Sequence, residues 1–322
     1  MRTVLRSRYR RFTLLGVSAA LLLAGCGSGP AQAGSAAIVG DTVIPLNLVQ
    51  GRLSDYVDHK PSGGQGQPEG APQAKLDEIA RGILTYKIQH ELTMRAAERE
   101  GVSVSEDAIS QVLERFGGAE QASQGTFFSA DTFRNERARD QLLQVEIGRK
   151  YADKLAVTFD YFYANNTQDA IDKAKQISRD TSKMDQYIRE AEQRNAQKDQ
   201  PVSGRDATVS SAESPQLATT LMFGVPAGTV IAFQPSGDQG NWIVAHVKER
   251  TTNAKKSTDG GSEELTGTIL AAIGVRMLQP LADELKLKVN PRYGVWDNTT
   301  MGLAPSEGEK AGFQIAVQQP KP

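Results

Sequence analysis

The stretch LAVTFDYFY, residues 155–163, decides the fold. Before it, apolar residues recur every three or four positions. From Val157 to Tyr163 they are β-branched and aromatic, the composition of a strand. The chain therefore changes from a helical part to a mixed one at Leu155. Upstream, residues 74–155 read as three helices. In the first, Leu76, Ile79, Ile83, Tyr86, His90, Met94 and Ala97 step by threes and fours. Leu84, Ile88 and Leu92 widen that face, so partners must largely enclose the helix. Gly101 ends it. Ser105 caps a second helix, with Glu106 and Asp107 in its first turn and Ile109, Val112, Leu113 and Phe116 on its buried side. Ser129 precedes a third, about 131–154, carrying Phe133, Leu143, Ile147 and Tyr151.

Downstream, two helices are predicted near 167–178 and 183–197, then a polar loop, KDQPVSGRDATVSSAESP (198–215), and a short helix ending at Phe223. Thr229–Phe233 and Asn241–Val247 read as strands, so 156–250 is a compact α+β unit. Residues 251–262 read as a linker. Residues 263–287 return to helix, with Leu265, Ile269, Ile273, Met277, Leu281 and Leu285 at four-residue spacing and Pro280 as a kink point. Val289 to Asp297 reads as extended, and 298–322 as a loose tail. At the other end, 36–58 gives a short strand, a turn at Gly40-Asp41, a second strand and a helix beginning at Pro45. Residues 60–73 are rich in Gly, Pro and Gln and read as a loop.

The first 25 residues carry Arg2, Arg6, Arg8, Arg10 and Arg11 with no acid, then an apolar run from Phe12 to Ala24. This is the pattern of a secretory signal, shorter than the roughly 20 residues of a membrane-spanning helix. The run ends Leu23-Ala24-Gly25-Cys26, which resembles the bacterial lipobox. That resemblance implies cleavage after residue 25, a diacylglycerol or acyl lipid on Cys26, and 26–37 as a lipidated tether on the extracytoplasmic face of the cell membrane. Losing five of the 37 basic residues leaves 32 against 38 acidic ones. A mildly acidic chain excludes the basic stripe of a nucleic-acid binder. One cysteine excludes an internal disulfide framework and a cysteine zinc site.

Helices, an α+β unit and a further helix is an order that resembles the SurA/PrsA family of extracytoplasmic foldases. AAIVGDTVIPLNLV (36–49) is similar to the family's opening strand-turn-helix, and GVSVSEDAISQVLERFG (101–117) to its inter-helical signature. VNPRYGVWD (289–297) looks like the ending of SurA-like actinobacterial lipoproteins. The resemblance implies an α+β protein. A mostly helical chaperone core, 38–155 completed by 263–297, would carry an inserted parvulin-like domain over 156–250. It also implies ATP-independent binding of unfolded or partly folded secreted proteins. Two alternatives stand beside it: an envelope scaffold serving one partner, and an active peptidyl-prolyl isomerase.

LMFGVPAGTVIAF (221–233) is similar to the parvulin Phe-to-Gly turn, carried by Phe223 and Gly228. The parvulin active-site residues do not carry over. The first-strand histidine is matched by Asp160, within one residue of register, and the last-strand histidine by Trp242, with His246 four residues on. The Met and Phe of the proline pocket fall near Ser214 and Ala218, and Ser203-Gly204-Arg205-Asp206 replaces the Gly-rich loop. The expectation is a degenerate module with no catalytic residue, no cofactor and no metal. His59, His90 and His246 stand too far apart for ligand spacing, and His90, on a buried stripe, reads as a hydrogen-bonded core residue. Arg134, Arg137 and Arg139 interleave with Glu136 and Asp140 and read as a salt-bridged surface, not an anion site. Met94, Met184, Met222, Met277 and Met301 are candidates for an adaptable client groove.

Overall fold

The computed structural model describes residues 34–58, 72–194, 202–235, 242–254 and 265–318. Cys26, the leader, most of the tether and His59 lie outside them. The first element is β1, Ser35–Val39, which turns through Gly40 (φ 63°) into β2, Thr42–Pro45. Helix α1 is Leu46–Asp58. Helix α2, Gln73–Glu100, buries Ile83, Leu84, Ile88 and Leu92 completely and ends at left-handed Gly101. Helix α3 is Glu106–Glu114, with the Ser105 hydroxyl accepting from the Ala108 N–H at 3.2 Å, and α4 is Ala119–Ser123. Helix α5, over 130–151, starts at the predicted Ser129 cap and passes through a π-helical stretch, Phe133–Ala138.

Strand β3, Ala156–Ala164, is the quoted stretch. Helices α6 (Thr167–Arg179) and α7 (Lys183–Arg194) follow. After β4 (Ser203–Ser210) come two single turns, α8 (Pro215–Ala218) and α9 (Leu221–Gly224). Then come β5 (Thr229–Phe233), β6 (Trp242–Thr251), α10 (Gly267–Met277) and α11 (Gln279–Glu284). The expected helix of 263–287 thus breaks at Leu278, just before Pro280, as a ring lacking an N–H requires. The chain closes with β7 (Lys288–Val289), β8 (Val295–Asp297), β9 (Gly302–Ala304) and β10 (Gly312–Ala316).

The main sheet is antiparallel, in the order β10-β5-β6-β3-β4. Strand alternation splits it into two apolar faces. Phe162, Ala164, Val230, Ala232, Trp242 and Val244 pack on α6 and α7. Val157, Phe159, Ile231, Phe233, Ile243, Ala245 and Val247 pack on α8, α9 and α10. Helix α10 also crosses α5 at backbone contact. A Cβ on Gly274 would lie 1.9 Å from the Gln144 carbonyl oxygen, and one on Gly148 1.9 Å from that of Leu270. The reciprocal pairing of 144 with 274 and 148 with 270 makes the crossing antiparallel. At the far end of the helical body, β1 pairs with both β2 and β7, and the Asn290 amide donates to the Ser35 carbonyl at 3.0 Å.

Three expectations are corrected. The tether does not extend to residue 37: Ser35, Ala36 and Ala37 are strand, with both alanines buried, because small side chains let β1 approach the core. The polar loop contains β4, an edge strand whose mixed composition reflects its single neighbour. The tail is not loose. Met301 is fully buried, Gln89 donates to its carbonyl at 2.7 Å, and β10 pairs with all five residues of β5. Phe313 and Val317 pack on the α6–α7 side of the sheet.

Candidate functional site

The residues expected at a degenerate parvulin site do not come together. Asp160 and Trp242 point to the α6–α7 face, whereas Ala218 belongs to the opposite core. The register pairs Asp160 with His246, and Trp242 with Ala164. A one-residue slip moves a side chain to the other face of a sheet, so a match one residue away would fall on Phe159 or Tyr161, on the Ala218 side. Asp160 sits where β4 bulges, opposite Arg205 and Asp206, with Asp206 at φ 49°. Its carboxylate accepts from the Asp206 N–H at 2.7 Å and from Lys248 Nζ at 2.8 Å, and Lys248 also reaches Asp206 at 2.6 Å. Burial pushes the neighbouring His246 below its ordinary pKa; Asp160 opposes that shift and Lys248 adds to it. Both donors meet the same oxygen, Oδ1, and make an ion cluster of Asp160, Lys248 and Asp206.

The face that carries α8 presents Phe159, Tyr161 and Tyr163 from β3 instead. Tyr161 lies over Gly204, where a Cβ would meet its ring at 2.7 Å. Among the described residues neither Tyr161 nor Tyr163 has a hydrogen-bond partner for its hydroxyl. The α8 turn borders an open depression of about 320 Å³ lined by Glu213, Ser214, Gln216, Leu217, Thr220 and Pro235, in which apolar surface outweighs polar.

Two arginines, Arg276 buried and Arg250 half-buried, hold the α8–α9 turns. Arg276 of α10 donates to the carbonyls of Thr219 (2.9 Å), Asn298 (2.7 Å) and Thr299 (2.7 Å), and to Gln279 Oε1 (2.8 Å). Burial lowers its pKa to about 10, opposed by Asp297, so it remains charged at neutral pH. Arg250 of β6 donates to the Phe223 carbonyl at 2.7 Å, and burial lowers its pKa too. Gln279 continues the chain of contacts to Gln314 of β10 at 2.9 Å. The sheet, the α8–α9 turns, α10 and the tail are thereby tied together by hydrogen bonds that burial makes costly to lose.

The helical body holds a second polar cluster. Asp140 is fully buried and accepts from the Tyr86 hydroxyl at 2.8 Å, and His90 Nδ1 lies 2.8 Å from it. Burial, then the Asp140 charge and hydrogen bond, hold the Tyr86 hydroxyl far above its usual pKa. One turn back, Glu136 accepts from Arg52 Nη2 at 2.8 and 2.9 Å, and Lys87 Nζ stands 3.5 Å away. Burial alone would raise the Glu136 carboxyl. The Arg52 hydrogen bond and the charges of Lys87, Arg52 and His90 bring it below its usual value. Phe127, Phe128, Phe133 and Tyr86 stack along this cluster, with the Arg52 guanidinium 6.0 Å from the Phe128 ring centre.

The salt-bridged surface expected for 134–140 is therefore corrected. Arg134 and Arg139 do face outward, to Glu106, but Glu136 and Asp140 turn inward. The π-helical stretch rotates the faces relative to a 3.6-residue period. His90 has its partner in Asp140. Of the methionines proposed for a groove, Met184, Met222 and Met301 are core, and Met94 is 41% exposed. Among the described residues there is no grouping of three or more His, Cys, Asp or Glu able to hold a metal, and no helix long and apolar enough to cross a membrane.

No family model and no curated protein matches the chain. Among solved structures it is similar to the peptidylprolyl isomerase PrsA of Bacillus anthracis, at 13% identity and a TM-score of 0.23, over 65% of this chain and 99% of that one. It is also similar to the foldase protein PrsA of Streptococcus pneumoniae, at 13% identity and a TM-score of 0.20, over 76% of this chain and 90% of that one. Both are loose likenesses.

Proposed function

We propose that this protein is an extracytoplasmic chaperone of the foldase type, held at the membrane by a lipid on Cys26, that binds unfolded or partly folded exported proteins without ATP. The observation that carries the reading is the interleaving of the two ends of the chain. Strand β1 pairs with β7 and α5 packs on α10, so segments from both ends build one helical body around the inserted sheet unit. That is the arrangement the foldase resemblance requires, and the Leu23-Ala24-Gly25-Cys26 sequence supplies the compartment. In this reading 156–250 is a non-catalytic unit: its α8 face offers Tyr161 and Tyr163 where catalysis would need a polar cluster.

Residues 27–322 at several-fold excess should suppress aggregation of a chemically unfolded exported protein. Unchanged light scattering would overturn the proposal. A prolyl-peptide assay should give the uncatalysed rate; acceleration that disappears with Tyr161→Ala would make the sheet unit an isomerase.

A further inference from the structure

Around Glu136 the donors outnumber the acceptors. Arg52 uses only Nη2 for its two Glu136 contacts, and Nη1 is buried without a hydrogen-bond partner among the described residues. Lys87, 8% exposed, has three N–H groups and one long contact of 3.5 Å. Asp140 is taken by the Tyr86 hydroxyl and by His90 Nδ1, so among the described residues Arg52 and Lys87 share one carboxylate, Glu136. A guanidinium presents its N–H groups on separate edges, so Arg52 can hold Glu136 on one and a second carboxylate on the other. The cluster also reaches the surface, with the side chains of Arg52, His90 and Glu136 14%, 17% and 22% exposed.

We propose that Arg52 Nη1 and Lys87 Nζ form a binding site for one carboxylate group, with the Phe127–Phe128 pair as an apolar wall beside it. A carboxylate bridging the two would supply the missing acceptors. A free small carboxylate and an acidic side chain of a bound polypeptide present the same chemistry. The site does not depend on chaperone activity.

The test is thermal unfolding of the whole protein in increasing acetate, at ionic strength held constant with a bulky buffer anion. A saturable rise in the midpoint is expected with acetate and none with acetamide, its neutral counterpart. Lys87→Met and Arg52→Gln should each abolish saturation. Equal responses to acetate and acetamide in the unaltered protein would overturn the site even if neither variant folds. So would an acetate response that survives Lys87→Met. A fluorescent peptide with a single glutamate separates the sources. At least tenfold weaker binding of its glutamine version, with competition by acetate, assigns the site to polypeptide side chains. Indifference to that change while acetate still saturates assigns it to a free carboxylate.

Discussion

Gly274→Ala sets two physical effects against each other. Gly274 lies inside α10, where alanine is the better helix former by about 0.8–1.0 kcal/mol, so propensity alone predicts a more stable protein. The crossing predicts the opposite. The new methyl would stand 1.9 Å from the Gln144 carbonyl oxygen, 2.7 Å from its carbon and 3.0 Å from its Cα. All three atoms are backbone, so no rotamer relieves the clash and the helices must part by about 1.5 Å to restore a van der Waals separation. Parting them loosens Leu143 and Ile147 on one side and Leu270 and Ile273 on the other, all buried. Overpacking of this kind costs about 1–3 kcal/mol, and a backbone clash belongs at the upper end. Less the propensity gain, the net loss is about 2 kcal/mol. Urea unfolding followed by circular dichroism measures it. Gly51→Ala is the control, because Gly51 lies within α1 with nothing within 4 Å of its added methyl, and it should stabilise by about 0.5–1 kcal/mol. A Gly274→Ala protein as stable as the unaltered one, or more so, refutes the close crossing.

Arg276→Met should cost about 3 kcal/mol or more in the same assay, because three inward carbonyls lose their donor; a change under about 1 kcal/mol would mean that they find other donors. The folded Glu136 carboxyl lies below its ordinary 4.5, so its contribution is complete above that pH and is lost as pH falls through the folded value. The stability gap between the unaltered protein and Glu136→Gln should therefore narrow below about pH 4.5, and a constant gap from pH 7 to 3 would refute the pairing. Burial lowers the pKa of His246, so below 6.5 the unfolded chain takes up the proton first and stability declines; His246→Gln should flatten that limb of the profile. Ending the chain at Lys310 removes β10 and should speed amide exchange in β5, which unchanged protection would contradict.

Much of this architecture is legible in the sequence because local signals carry it. Ser105, Ser129 and Gly101 act as the caps their residue types promise, and the change of period at Leu155 marks the start of β3. Features that depend on distant partners are not legible in the same way. β4 is polar because only β3 borders it, so hydrophobic alternation fades. β10 does alternate, with Phe313 and Val317 turned inward, but its Gln- and Pro-rich surroundings hide the pattern. The inward turn of Glu136 and Asp140 follows from the π-helical stretch, which a fixed helical period cannot anticipate. Two signals were available. Lys87 falls on the buried stripe between Ile83 and His90, where a lysine must find acceptors. Gly148 and Gly274 interrupt good helical sequence, which calls for a packing reason. The separation of Asp160 and Trp242 from Ala218 has a simpler origin, since one residue of register decides the face.

The pairing of β1 with β7 joins Ala37 to Val289, and β10 completes the main sheet later still. During synthesis β1 can pair with β2 at once, but its other edge must wait for β7, which follows almost the whole described chain. Contacts of such long range slow folding, since the loop must close before it is rewarded. Until β7 and β10 are made, this protein would itself be the kind of incompletely folded chain it is proposed to bind.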